Sequence, residues 1–452
     1  MTSSGKSSVR SPSRGSTWLP TTRLLGWFAT GLAVTALGWG LGYTILFTST
    51  YYLLLTAVVL REGRKLYHCQ PLILTRRSDV FFELGEDVPV ELSAAHPGGI
   101  PLTLTLRDDY PNGFTTDRRE MRLKLPPNGV AAVTYRARPH QRGCHRFGDI
   151  HVRIGGPLGL VLLQQVIHAA EEKQVYPLLT EVRKVRSGVY RKLAAEGSHS
   201  SKGWGRSTAF SHIREYVPGD DPRWINWNAT ARRGKLVANV YQPEHGQQAV
   251  ILIDCGRVMG VRDGEKTRLD RAIEGALAFA AMALERGDQV SLLAFSDRIK
   301  RWVPPGKGTR QLKRLIEAVY DLEADFVESA YQMAMETLVL HHKRRALVSL
   351  FTDAGNLIFA EELIRQLAVL RRRHLVLTVT IQDPLSKKEA GRFPEDEPDV
   401  YRKAVAEVIS EERTERLTQL KRRGVVVLDV PPGQLAGSVI HTYIDIKNRS
   451  LL

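Results

Sequence analysis

The stretch Ala249-Val-Ile-Leu-Ile-Asp254 decides the reading of the C-terminal half. It is a short, continuous apolar run ending in a carboxylate, the pattern of a strand buried on both faces. Outward from it, Leu269, Ile273, Leu277, Ala280 and Leu284 fall on one helical face. A second strand is expected over Val290–Phe295, followed by a helix carrying Leu312, Leu315, Ile316 and Val319. Tyr331 to Leu340 suits a further helix, and Ala346 to Phe351 a strand that ends at Thr352-Asp353. A helix over Phe359–Arg371, a strand over Leu375–Ile381, a helix over Val400–Lys421, a strand over Val425–Val430 and a closing helix from Gln434 complete the pattern. Such alternation predicts a doubly wound, mainly parallel α/β sheet over 248–452. Ligands of such sheets bind at the carboxyl ends of the strands, where Asp254, Asp353 and Asp383 stand.

Residues 72–178 have a different rhythm. Val88, Val90 and Leu92 alternate with other residues, as do Leu102, Leu104 and Leu106, then Met121, Leu123 and Leu125. With turn signals at Pro97-Gly98-Gly99 and Pro111-Asn112-Gly113, this reads as a small β-sandwich. Asp108-Asp109 in this module reads as turn chemistry rather than a metal pair.

Residues 24–60 contain no Asp, Glu, Lys, Arg or His. A spanning helix needs about 20 apolar residues, so two short helices with a turn near Trp39-Gly40-Leu41-Gly42 use the whole stretch. The expected hairpin covers 23–62, behind a basic disordered tail over 1–22. Lys6, Arg10, Arg14 and Arg23 precede the charge-free stretch and Arg61, Arg64 and Lys65 follow it. Basic flanks on both sides place both termini in the cytoplasm, at a plasma (inner) membrane. The apolar stretch is too long for the h-region of a signal peptide.

The 452 residues carry 64 Lys+Arg against 48 Asp+Glu, a formal charge of +16. Such a balance suits nucleic acid or the anionic face of a bilayer. The absence of a zinc-finger, RNP-type or aromatic-interleaved basic motif argues against nucleic acid. The three cysteines form neither a disulfide framework nor a zinc site. No phosphate loop, nucleophile elbow or His-Glu-x-x-His pattern is present, and Cys255 reads as a buried small thiol.

Between the two folded regions, over 179–247, runs Arg214-Glu-Tyr-Val-Pro-Gly-Asp-Asp-Pro-Arg-Trp-Ile-Asn-Trp227, then Ala231-Arg232 and Lys235-Leu236. This resembles the bacterial family called domain of unknown function 58. Arg214, Glu215, Tyr216, Pro218, Gly219, Asp220, Asp221, Arg223, Trp227, Arg232 and Lys235 carry the resemblance, which Arg142-Gly143 and Gly156-Pro-Leu-Gly-Leu160 extend. It implies a membrane hairpin, a β module and a von Willebrand factor A-like, Rossmann-like domain. It further implies a non-enzymatic interaction or adaptor protein that works with a MoxR-type AAA+ ATPase. Proline and glycine in Pro218-Gly219-Asp220-Asp221 suit a turn, with the arginines pairing its acids. The segment is either such a structural lattice or a partner-recognition surface. The alternative is a membrane-bound metal-dependent hydrolase using Asp220, Asp221 and Lys235.

A-like domains often bind Mg²⁺ through Asp-x-Ser-x-Ser, a threonine and a later aspartate. Here the motif reads Asp254-Cys-Gly-Arg-Val258, so Gly256 and Val258 stand where serines would donate oxygen. Asp254 and Asp353 are the candidate ligands, and the expectation is partner binding without a cofactor.

Overall fold

The computed structural model describes residues 17–68, 72–79, 81–190, 209–217, 220, 222–242, 246–353 and 360–449. Residues 1–16 of the expected disordered tail lie outside these residues, whereas Thr17–Pro20, expected in that tail, form a strand paired in a sheet. Two units divide the chain, Met1–Tyr176 and Pro177–Leu452.

In the first unit a short strand, β1 (Thr17–Pro20), leads into α1 (Thr22–Gly40) and α2 (Thr44–His68). Gly42, at φ +73°, makes the turn between the helices, in the conformation that only glycine enters without cost. The two helices pack closely where small residues admit neighbours. Gly31 lies under the Tyr52 ring, and the Tyr51 hydroxyl donates to the Trp27 carbonyl at 2.6 Å. Within this hairpin, Thr44–Tyr67 is long and apolar enough to cross a membrane.

The alternating segments become β2 (Ile73–Arg77), β3 (Phe81–Glu83), β4 (Val88–Ala95), β5 (Leu102–Asp108), β6 (Phe114–Thr116), β7 (Met121–Leu125) and β8 (Val130–Pro139). They continue as β9 (Gly143–Phe147), β10 (Ile150–Gly155), β11 (Val161–Ile167) and β12 (Glu171–Tyr176). Two larger sheets, in the orders β1-β11-β10-β5-β7 and β2-β4-β8-β6, share one apolar core. A third sheet, β3-β12-β9, contains a parallel pair. Asp108 corrects the turn reading. It is buried at 3% exposure, where Arg76 Nε donates to it at 3.0 Å and the Tyr135 hydroxyl at 2.6 Å. A buried carboxylate needs such partners, and here a guanidinium supplies them from another sheet.

Besides the β1–β11 pairing, the loop Gly156–Leu160 fixes the hairpin base to this module. The Glu62 carboxylate, on α2 and 3% exposed, accepts the amides of Leu158, Gly159 and Leu160 at 3.1, 2.9 and 3.1 Å. A Cβ on Gly156 would collide with that carboxylate, and Gly159 sits at φ +65°. Thr21 caps α1 and donates to the Gly159 and Leu160 carbonyls from the other side.

The second unit opens with α3 (Thr180–Arg186), then the pair β13 (Ala209–Glu215) and β14 (Val237–Gln242) around α4 (Trp227–Arg233). The expected alternation follows as β15 (Gln248–Asp254), a two-residue ladder of β16 (Arg262–Asp263) and β17 (Lys266–Thr267), α5 (Arg268–Glu285) and β18 (Gln289–Phe295). Next come β19 (Ile299–Gly306), α6 (Gly308–Val319), α7 (Tyr331–His341), β20 (Ala346–Phe351), α8 (Ala360–Leu370) and β21 (Leu375–Ile381). The chain closes with α9 (Pro384–Gly391), α10 (Glu397–Arg422), β22 (Val426–Val430) and α11 (Leu435–Asn448).

The sheet order is β19-β18-β15-β20-β21-β22, parallel except for β19. This is the doubly wound arrangement. Helices α5, α6 and α11 bury one face, and α7, α8 and α10 the other. Strand β19 is an addition to the expected pattern. Its Pro304-Pro305 argues against a strand in sequence, but an edge position tolerates prolines.

His342, between α7 and β20, is buried, with Nε2 3.1 Å from Ser291 Oγ. Burial, and next the neighbouring His374 and His341, push its pKa down to about 4. The unfolded chain therefore binds a proton near pH 6.5 that the folded chain refuses until about 4. Stability should fall by about 1.4 kcal/mol per pH unit across that window from this one side chain. Urea unfolding of wild type and His342→Gln at stepped pH should show the steeper loss in wild type. Parallel curves would contradict it.

Candidate functional site

Asp254 ends β15 and Asp353 follows β20, so parallel neighbours deliver both carboxylates to one edge of the sheet. Both are 1% exposed. At Asp254 the Tyr331 hydroxyl donates at 2.6 Å, Thr352 Oγ1 at 2.7 Å and the Gly256 amide at 2.8 Å. Ser329 Oγ adds a fourth donor. Four donors match the acceptor capacity of a carboxylate. Burial and the adjacent Asp254 charge hold the Tyr331 phenol well above its ordinary pKa, so it stays a neutral donor.

Gly256, where the adhesion motif has its first serine, leaves room for Ser329. A Cβ there would overlap the Ser329 hydroxyl. The hydroxyl that the motif lacks thus arrives from the loop before α7.

Asp353 is held differently. Arg268 Nη1, from the first turn of α5, donates to Oδ2, and Arg413 Nη1, from α10, to Oδ1 at 2.8 Å. Thr380 Oγ1 adds a 3.2 Å bond. Arg413 also reaches Asp429 at 2.7 Å and the Ile381 carbonyl at 2.9 Å. Burial alone would lower the Arg413 pKa, but Asp353 and Asp429 raise it. Asp383, third of the expected acids, caps α9 by accepting from the Leu385 amide, and its Oδ2 lies 3.6 Å from Arg268 Nη2.

This donor set does not fit a hydrated Mg²⁺. Two permanent guanidinium charges already sit on Asp353, and a further cation would meet their repulsion. Among the described residues no three His, Cys, Asp or Glu side chains group as a metal site.

The signature segment forms its own feature. β13 and β14 pair antiparallel, and the Tyr216 amide donates to the Leu236 carbonyl. Asp220 accepts from the Val217 amide at 3.1 Å and from Arg214 Nη2 at 2.6 Å, which hold it below the usual carboxylate range. The Tyr216 hydroxyl donates to the Asp220 carbonyl. Asn226 caps α4, while Gly234 ends it at φ +65°. Arg223 lies in the short turn Pro222–Trp224, and Arg232 in the last turn of α4. Lys235 Nζ is 3.5 Å from Glu215, with both side chains exposed. Pro218, Gly219 and Asp221 lie outside the described residues. Asp220 is therefore a turn and ion-pair residue, whereas Trp227 is 65%, Val217 52% and Leu236 47% exposed.

Sequence reasoning missed Arg268, Arg413 and Ser329. One signal was available for Arg268. A cation in the first turn of a helix opposes the macrodipole and points to a strong acidic partner.

Comparison with known proteins gives matches at several levels. Over 156 residues the chain is 25% identical to the uncharacterized protein YeaD of Bacillus subtilis (strain 168), covering 33% of this chain and 39% of that relative's length. BatB from Bacteroides thetaiotaomicron superposes with a TM-score of 0.33 at 13% identity, over 45% of this chain and all of that one. An aerotolerance-related membrane protein from Bacteroides fragilis NCTC 9343 gives a TM-score of 0.30 at 14% identity, over 44% of this chain and 99% of that one. Residues 212–396, which take in Arg214–Leu236 and the sheet as far as β21, match the family described as protein of unknown function DUF58.

Proposed function

We propose that this chain is a membrane-tethered interaction protein whose von Willebrand A-like domain recognises a protein partner through the signature segment, without a bound ion. The observation that carries this reading is the exposure of Trp227, Val217 and Leu236 in the same segment that carries Arg214, Arg232 and Lys235. Tryptophan and arginine dominate binding hot spots, and a large indole held in solvent by a capped helix suits an anchor. The Asp220–Arg214 pair and the Asn226 cap then serve to fix that surface.

The family resemblance suggests the partner, a MoxR-type AAA+ ATPase engaged in assembling or activating other proteins. The tether is the helical hairpin, read as two spans with both termini in the cytoplasm, since both flanks are basic. A hydrolytic role gains no support, because Asp220 is already committed to Arg214 and to a backbone amide.

Co-purification of the full chain in detergent with the ATPase, locked with a non-hydrolysable ATP analogue, tests the reading. Wild type should retain the ATPase, and Trp227→Ala should lose tenfold or more of it, since hot-spot truncations cost about 2 kcal/mol or more. Failure of wild type to retain the ATPase removes this partner. Equal retention by both proteins removes the surface.

A further inference from the structure

The helix-to-strand connections of the second unit carry an unusual repetition. Lys343-Arg344-Arg345 precedes β20, Arg371-Arg372-Arg373 precedes β21, and Lys421-Arg422-Arg423 precedes β22. These strands are adjacent and parallel, so their amino ends share one edge of the sheet, opposite the Asp254 and Asp353 edge. All nine basic side chains are exposed. The segments 341–346, 371–375 and 420–425 contain no Asp or Glu.

The second and third loops touch. Arg371 Nη1 donates to the Arg423 carbonyl at 2.9 Å, and its guanidinium lies where a Cβ on Gly424 would sit. Between the C-terminal ends of α7 and α8 lies a groove of about 660 Å³, lined by Glu336, Leu340, Val369, Leu370, Arg372 and Arg373 among others. Leu340 is 74% and Val369 62% exposed.

Helix C-termini attract cations, but three of them supply only about −1.5 of partial charge in all. Nine cations far exceed that, so capping does not account for the triplets. At the other edge Asp254, Asp353, Asp383 and Asp429 stand at or just beyond the carboxyl ends of their strands.

We propose that the amino-terminal edge of this sheet is a docking face for anionic lipid headgroups. Its charge complements an anionic leaflet, and its exposed leucine and valine suit the interfacial region beneath. The proposal rests on Thr44–Tyr67 acting as an anchor, since a tether holds the domain at high effective concentration near the bilayer. Docking in this pose turns the Asp254 and Asp353 edge away from the lipid.

The test uses the full chain in nanodiscs of phosphatidylcholine or of phosphatidylglycerol-rich lipid, with hydrogen exchange read at 342–346, 371–375 and 421–425. These loops should exchange more slowly in the anionic discs alone, and 1 M salt should abolish the difference, because screening then acts within about 3 Å. Combined Arg344→Gln, Arg372→Gln and Arg422→Gln should lower the docked-to-free ratio about a hundredfold, from roughly fivefold for each cation near an anionic surface. Unchanged exchange in β15 serves as the folding control, and Arg372→Gln alone, with about a fivefold loss, decides the matter if the triple variant unfolds. Equal exchange in the two lipids overturns the proposal. So does protection by a DNA duplex in phosphatidylcholine discs when anionic lipid gives none. Failure of the anchor is distinct, because the chain would then not enter phosphatidylcholine discs at all.

Discussion

Replacing Arg413 with alanine should destabilise the C-terminal unit by about 3–5 kcal/mol, the cost of leaving a buried charge without its partner. Asp353 is 1% exposed, and Arg413 supplies its 2.8 Å bond at Oδ1 while also neutralising Asp429. Arg268 alone cannot serve both acids. Arg413→Lys should recover only part of the loss, because an ammonium cannot reach Asp353, Asp429, Thr380 and the Ile381 carbonyl together as the guanidinium fork does. Adding Asp353→Asn to Arg413→Ala should restore stability relative to the single variant, since the stranded charge is gone. Urea unfolding followed by tryptophan fluorescence measures all of these. A loss below about 1 kcal/mol for Arg413→Ala would show that Asp353 is not a committed buried charge.

The second large effect is expected at Glu62. Its removal as Glu62→Ala strands three amides, each costing about 1–3 kcal/mol when buried and unpaired. Hydrogen exchange at Leu158, Gly159 and Leu160 should accelerate by a hundredfold or more, equivalent to roughly 3 kcal/mol of local opening. Glu62→Gln keeps one carbonyl oxygen and should give an intermediate rate. Exchange unchanged in Glu62→Ala would mean that the loop holds its shape without the helix.

These two residues also mark how far the sequence could be read. Strands buried on both faces, such as β15 and β20, announce themselves because every residue must be apolar. The hairpin turn was equally plain, because a charge-free stretch of that length has few other uses. What failed were partnerships across long sequence separations. Arg268 and Asp353 lie 85 positions apart, Arg413 and Asp353 lie 60, and nothing local to either predicts the meeting. Asp108 was read as turn chemistry because its neighbours in sequence are loop residues, whereas its partner Arg76 lies on another sheet. Gly156 and Gly159 drew notice as a motif, but their purpose needed Glu62, which in sequence is a lone acid among basic flanking residues. At the candidate site the missing serines were legible. Their replacement by Ser329 from a distant loop was not.

The central claim is that this α/β domain neutralises its own carboxylates and, as proposed, works without a bound ion. Calorimetric titration of the full chain in detergent with Mn²⁺, alongside Asp254→Ala, tests that claim directly. The account predicts heats equal to dilution for both proteins. A saturable isotherm in wild type that Asp254→Ala abolishes would contradict it.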